Sequence, residues 1–286
     1  MRAVFRLLAA IVLLAGAAMP ALAADGGDGC DHYITALPIE VSSPGTWCLA
    51  SDLASDPADK DTIWGVWVRA DDVTIDCRGH LMDGTGTQYP GRSAVLSMGG
   101  DGQHDRTVVR NCRLRGYTEG VSLEGNGHRV EGLLATDILI TGIAIFGNRA
   151  VVRGNRIIET GGQGIAVWGS GDVLDNVIRG FVNYKHSDAA EGIVMQSSTS
   201  GTVKGNRIVL AQSGVEPPRV GSGIKLNSAA DVVVRDNVII STEPGRSLDC
   251  NYYVGSSANH VIDNVGIGVA PVPDNCGSAI NNRIYP

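Results

Sequence analysis

The stretch Val151-Val152-Arg153-Gly154-Asn155-Arg156-Ile157 is followed closely by Gln163-Gly164-Ile165-Ala166-Val167, and both halves of it recur. The first half returns as Val173-Leu174-Asp175-Asn176-Val177-Ile178, as Val203-Lys204-Gly205-Asn206-Arg207-Ile208 and as Val233-Val234-Arg235-Asp236-Asn237-Val238-Ile239. It closes with Ile262-Asp263-Asn264-Val265 and Asn281-Asn282-Arg283-Ile284. Upstream, Val108-Val109-Arg110-Asn111-Cys112-Arg113-Leu114 carries a cysteine where later copies carry the asparagine. The register residue is read at 77, 112, 132, 155, 176, 206, 237, 264 and 282. The second half returns as Glu119-Gly120-Val121-Ser122-Leu123, Thr141-Gly142-Ile143-Ala144-Ile145, Glu191-Gly192-Ile193-Val194-Met195 and Ser222-Gly223-Ile224-Lys225-Leu226.

Each copy alternates apolar with small or polar residues, the period of a strand with one buried face. Every repeat therefore holds at least two short β-branched strands bounded by Gly, Asn or Asp. No segment shows a helical period longer than two turns. Repeats near 20 residues point to a solenoid. The Leu-x-x-Leu-x-Leu skeleton of leucine-rich repeats and the Gly-Gly-x-Gly-x-Asp series of calcium rolls are both absent. The remaining architecture is all-β: a parallel β-helix of about eight coils, stacked at the ~4.8 Å strand spacing into a rod of roughly 40 Å.

With Gly-Asn-Arg-Ile and Asp-Asn-Val-Ile around one asparagine of many coils, the chain resembles the right-handed parallel β-helix superfamily, which includes pectate lyases and alginate lyases and epimerases. The resemblance covers about 60–286. It implies a right-handed single-stranded solenoid, and one such fold hosts many chemistries. The asparagine column reads as a ladder of amides hydrogen-bonded along the axis, satisfying buried turn groups.

Composition bounds the rest. Gly is 38 of 286 residues, charged residues are 19% and Lys occurs only at 60, 185, 204 and 225. No basic block supports a nucleic-acid role. Arg2 and Arg6 precede the apolar run Leu7 to Ala18, then Pro20 and Ala21-Leu22-Ala23, the order of a secretory signal peptide cleaved near Ala23-Ala24. That run is short of a membrane span. Removing Arg2 and Arg6 takes the formal charge from −7 to −9. We expect a signal peptide at 1–23, an N-terminal cap at 24–60 and the β-helix at 61–286, in a secreted or periplasmic monomer. The six cysteines suit an oxidising compartment. Register pairs Cys77 with Cys112 and Cys250 with Cys276, which leaves Cys30 with Cys48.

Long coils mark loops, and loops on a rigid rod carry function. The coil from 176 to 206 carries Tyr184-Lys185-His186-Ser187-Asp188, an acid, a base and a cation in a Lys-poor chain, and then Glu191. The next carries Arg219 and presents Lys225 where other coils have Ser122, Ala144, Ala166 and Val194. After each strand come Glu124, Phe146, Trp168, Gln196 and Asn227, with aromatics suited to sugar stacking.

His186-Ser187-Asp188 is similar to the His-x-Asp-Gly motif of uronate-acting β-helix enzymes, except that Ala189-Ala190-Glu191 follows it. The resemblance thus implies an acidic polysaccharide as substrate and proton abstraction at the uronate C5, of lyase or epimerase type. Lys225 or Arg219 would hold the carboxylate, His186 or Lys185 would be the base and Tyr184 the acid. Glycoside hydrolysis would use Asp188 and Glu191 instead. The competing class is a non-catalytic carbohydrate-binding or surface-structural β-helix. No metal-ligand pattern is present, and calcium enters only through the resemblance.

Overall fold

The computed structural model describes residues 28–55, 62–85, 92–98, 102–182, 190–197, 200–213, 221–251 and 259–285. Among them every strand pairing is parallel, and strands face the next coil rather than their chain neighbours. One coil shows the plan. Ala150–Arg153 lies on a first face, Arg156–Thr160 on a second and Gln163–Trp168 on a third. Their partners one coil on are Gly171–Leu174, Val177–Val182 and Glu191–Gln196. This is a right-handed parallel β-helix with three faces. The second and third faces merge where the long strand Val238–Asn251 pairs with Arg207–Ser213 and then with Ser222–Asn227.

The first face holds 11 strands, from His32–Ile34 to Ser278–Ile280, so the rod is roughly 50 Å long. This exceeds the length expected from the asparagine register, because strands before residue 60 join the same faces. His32–Ile34 and Gly45–Leu49 lie on the first, Leu53–Ala54 on the second and Ile39–Val41 on the third.

Inward residues of each coil stack on their counterparts. Val152, Ile157, Ile165 and Val167 are fully buried, as are Val173, Ile178 and Ile193 one coil later. The turn from first to second face carries the ladder. Asn155, Asn176, Asn206, Asn237, Asn264 and Asn282 follow in series, and the Nδ2 of each donates to the Oδ1 of the next at 2.9–3.0 Å. That Oδ1 also accepts the backbone N–H of the preceding asparagine. Each Nδ2 further reaches a carbonyl of the preceding coil's first-face strand, as Asn206 does to Val173 at 2.9 Å. Two positions differ from the sequence register: Cys77 directly follows Asp76, the partner of Arg110, whereas Cys112 stands two residues after Arg110, and the rung read at 132 is also displaced. Leu133, not Gly132, stands in the column, and its N–H donates to Asn155 Oδ1 at 2.9 Å.

Gly132 belongs to the position before the ladder, which is left-handed in coil after coil. Asn111, Gly132, Gly154, Asp175, Gly205, Asp236, Asp263 and Asn281 all have φ between 54° and 68°. Only Gly, Asn and Asp fill this column, the residues that tolerate that region. A second glycine column is steric. A Cβ on Gly164 would sit 2.6 Å from Gly192 O and 2.7 Å from Ile178 Cγ2, and Gly142 and Gly192 face the same obstruction. The corner into the third face is thus tight enough to exclude a methyl group.

Disulfides Cys30–Cys48 and Cys77–Cys112 form as expected from the sequence, with Cα atoms 5.7 and 4.6 Å apart. Cys276 is buried and disulfide-bonded, while the side chain of Cys250 lies outside the described residues. No helix among the described residues is long and apolar enough to cross a membrane.

Candidate functional site

Third-face strands stack with their motifs in the register read from the sequence. Ser122, Ala144, Ala166, Val194 and Lys225 form one column, of which only Lys225 reaches the surface: the other four are at most 1% exposed, so the row of small residues is covered and is no open groove floor. Glu124, Phe146, Trp168, Gln196 and Asn227 form the next, and Glu119, Thr141, Gln163, Glu191 and Ser222 the column before. The structure therefore gathers Phe146, Trp168, Glu191, Gln196, Lys225 and Asn227 on one face within four coils.

Phe146 and Trp168 stack, with ring centroids 4.4 Å apart and planes 13° apart. Both are half-buried. Beyond them Lys225 Nζ meets Glu191 Oε1 at 2.5 Å, and Gln163 Nε2 donates to Glu191 Oε2 at 2.7 Å. The Glu191 side chain is 6% exposed and that of Lys225 22%. Lys225 is accordingly no free cation on a bare floor. It compensates a carboxylate that burial would otherwise make costly. The three side chains bridge three successive coils.

Tyr184, Lys185, His186, Asp188 and Arg219 lie outside the described residues. Their segments, 183–189 and 214–220, connect the second face to the third beside Glu191 and Ser222. At the same corner, the coils through Leu139-Ile140 and Gly161-Gly162 turn directly.

The third face also holds groups that the motif reading passed over. Trp64 and Trp67 lie 4.5 Å apart, and the Arg69 guanidinium sits 4.5 Å from the Trp67 ring centre. The signal was present: Trp64-Gly65-Val66-Trp67-Val68 is another copy of the second motif, and Val66 pairs with Val95 as Ile143 pairs with Ile165. Near the same face His128 is fully buried, and burial lowers its pKa so that the ring stays neutral. Its Nδ1 accepts the Thr107 N–H at 3.2 Å, placing the ring proton on Nε2.

No group of three or more His, Cys, Asp and Glu side chains among the described residues could hold a metal ion. The arrangement offers aromatic plates at two places and one buried acid–cation pair along a face whose central column of small residues is buried. A search of the curated proteins finds no match to the chain. The family described as right handed beta helix region matches residues 93–284, two thirds of the sequence, and the chain belongs to that family.

Proposed function

We propose that this is an exported β-helix protein whose third face engages an acidic polysaccharide lying along the rod, with lyase- or epimerase-type action on its uronate units. The observation that carries the reading is the stacked Phe146–Trp168 pair lying two coils from the Glu191–Lys225 ion pair on one continuous face. Aromatic plates bind the apolar faces of sugar rings. A substrate carboxylate arriving at Lys225 would share the ammonium with Glu191, and Gln163 would keep one Glu191 oxygen occupied. Abstraction of the C5 proton leaves charge that spreads into that carboxylate, so a nearby cation stabilises the transition state more than the ground state. His186 or Lys185 would take the proton and Tyr184 would protonate the leaving oxygen in a lyase.

The second reading is a non-catalytic carbohydrate-binding face. It is favoured by the two bonds that hold Glu191, which resemble a structural clamp between coils.

The deciding experiment incubates the mature protein with a panel of uronate and neutral glycans, following unsaturated-uronate absorbance and new reducing ends together. Unsaturated product identifies a lyase, and an altered uronate composition without cleavage identifies an epimerase. Binding without product supports the second reading. Neither binding nor product on any glycan defeats both.

A further inference from the structure

The second face presents a charge pattern unlike that of the first. On the first face and at its turns, most arginines are neutralised, Arg149 being an exception: Arg110 by Asp76, Arg106 by Asp71 and Asp72, and Arg129 and Arg153 by a shared Glu131. On the second face Arg115 is held by Asp83. Further along, Arg156, Arg179 and Arg207 are all exposed, and no carboxylate among the described residues lies within 4.0 Å of any of them.

Their arrangement follows from strand register. Arg156 pairs with Val177, which pairs with Arg207, while Arg179 stands between Ile158 and Val209 in the adjoining column. Arg156 and Arg207 are therefore two coils apart, about 10 Å along the axis, with Arg179 on the coil between them. The three surround a shallow depression of about 440 Å³ floored by Ile158, Val177 and Val209. Glu159 is the one carboxylate among the described residues that lines it.

We propose that this depression is a second, anion-selective site that takes an acidic polysaccharide on the face next to the aromatic one. Guanidinium groups bind carboxylates through paired N–H donors and shed water more readily than an ammonium does. Three of them at coil spacing match anionic groups that recur along a chain parallel to the rod. The apolar floor suits the C–H faces of sugar rings. Among the described residues the floor has no aromatic plate on which a nucleobase would stack. The formal charge of −7 disfavours long-range steering of any polyanion, so capture at this site rests on the local arginines.

The test uses the mature protein and an Arg156→Ala/Arg179→Ala/Arg207→Ala variant, each with and without Trp168→Ala. Retardation is measured in gels containing polygalacturonate, alginate, neutral dextran or double-stranded DNA, at two salt concentrations. The expected result is that the triple variant loses about tenfold or more in polyuronate affinity in both backgrounds, with a shallower salt dependence and unchanged melting. Equal retardation of the triple variant and its parent overturns the proposal, as does stronger retention of the parent by DNA or dextran than by polyuronate. Failure of the third-face reading would appear separately, as Trp168→Ala behaving like wild type while the arginine variants do not.

Discussion

A single ladder asparagine holds several groups at once. Asn206 donates to Val173 O and Asn237 Oδ1 and accepts from the N–H and Nδ2 of Asn176, all while 1% exposed. Asn206→Ala strands those partners away from water and should cost about 2–4 kcal/mol in urea denaturation. Asn148 is the control. It is exposed and bonds to Asn126 and Ser170 at the edge, so Asn148→Ala should cost about 1 kcal/mol or less. Equal costs for the two would remove the ladder from the account of stability. Lys225 shows how a residue legible as outward can still be misjudged. Period-2 reading places it correctly, but nothing in the sequence tells that Glu191, 34 residues earlier, lies one coil away at 2.5 Å. Lys225→Ala would therefore leave a buried carboxylate short of its cation, and we expect a stability loss of about 3 kcal/mol or more. The pair-neutral Lys225→Met/Glu191→Gln variant should keep the wild-type melting temperature within a few degrees and lose function, which separates folding from the site.

Strands and turns carry the next set of effects. Gly164→Ala forces a methyl group against Gly192 O and Ile178, and a cost of about 1–3 kcal/mol is expected from thermal melting. The same substitution at Gly79, where a Cβ meets nothing within 4 Å, separates backbone strain (φ is 83° there) from collision. Between second-face strands, Arg115 donates to Asp83 at 2.5 Å. Partial burial pushes the Asp83 carboxyl upward, but the bonds from Arg115 and Thr85 outweigh it and hold the pKa at about 2 against an ordinary 3.8. The folded pKa lies below the unfolded one, so this stabilisation is fully present above 3.8 and drains away as pH falls toward about 2. It is on the order of 1–2 kcal/mol once solvent screening at the partly exposed Arg115 is counted. Asp83→Asn should thus melt lower than wild type at neutral pH, and the gap should close near pH 2. Strand positions and facing were legible because alternation with one buried face leaves a period-2 trace. The ladder register slipped at Leu133 because an apolar residue replaced the asparagine, although Gly132 marked the left-handed residue just before it.

For the molecule as a whole, the disulfides sit toward the ends of the rod while packing and the ladder hold its middle. Cys77–Cys112 closes 35 residues, which in the chain-entropy treatment stabilises by about 3–4 kcal/mol. Non-reducing peptide mapping should show Cys77 joined to Cys112 and Cys276 joined to Cys250, and a Cys77 peptide linked elsewhere would contradict the coil register. The fold was legible from residue 60 onward because its repeat is written in glycine and asparagine. The site was legible only as a face. Side chains from different coils meet through stacking, and the intervals between coils are too variable for spacing alone to reveal which partners touch. That variability has its own consequence. Successive ladder asparagines are separated by 21, 30, 31, 27 and 18 residues, yet every amide contact between them falls at 2.9–3.0 Å. The frame does not register how much chain is spent at a corner, and doubling a loop there costs only about 0.6 kcal/mol in closure entropy. The corner from second to third face is therefore an insertion port. A lineage or an engineer can swap the segments at 183–189 and 214–220 for others of different length and chemistry while the rod behind them keeps its rungs.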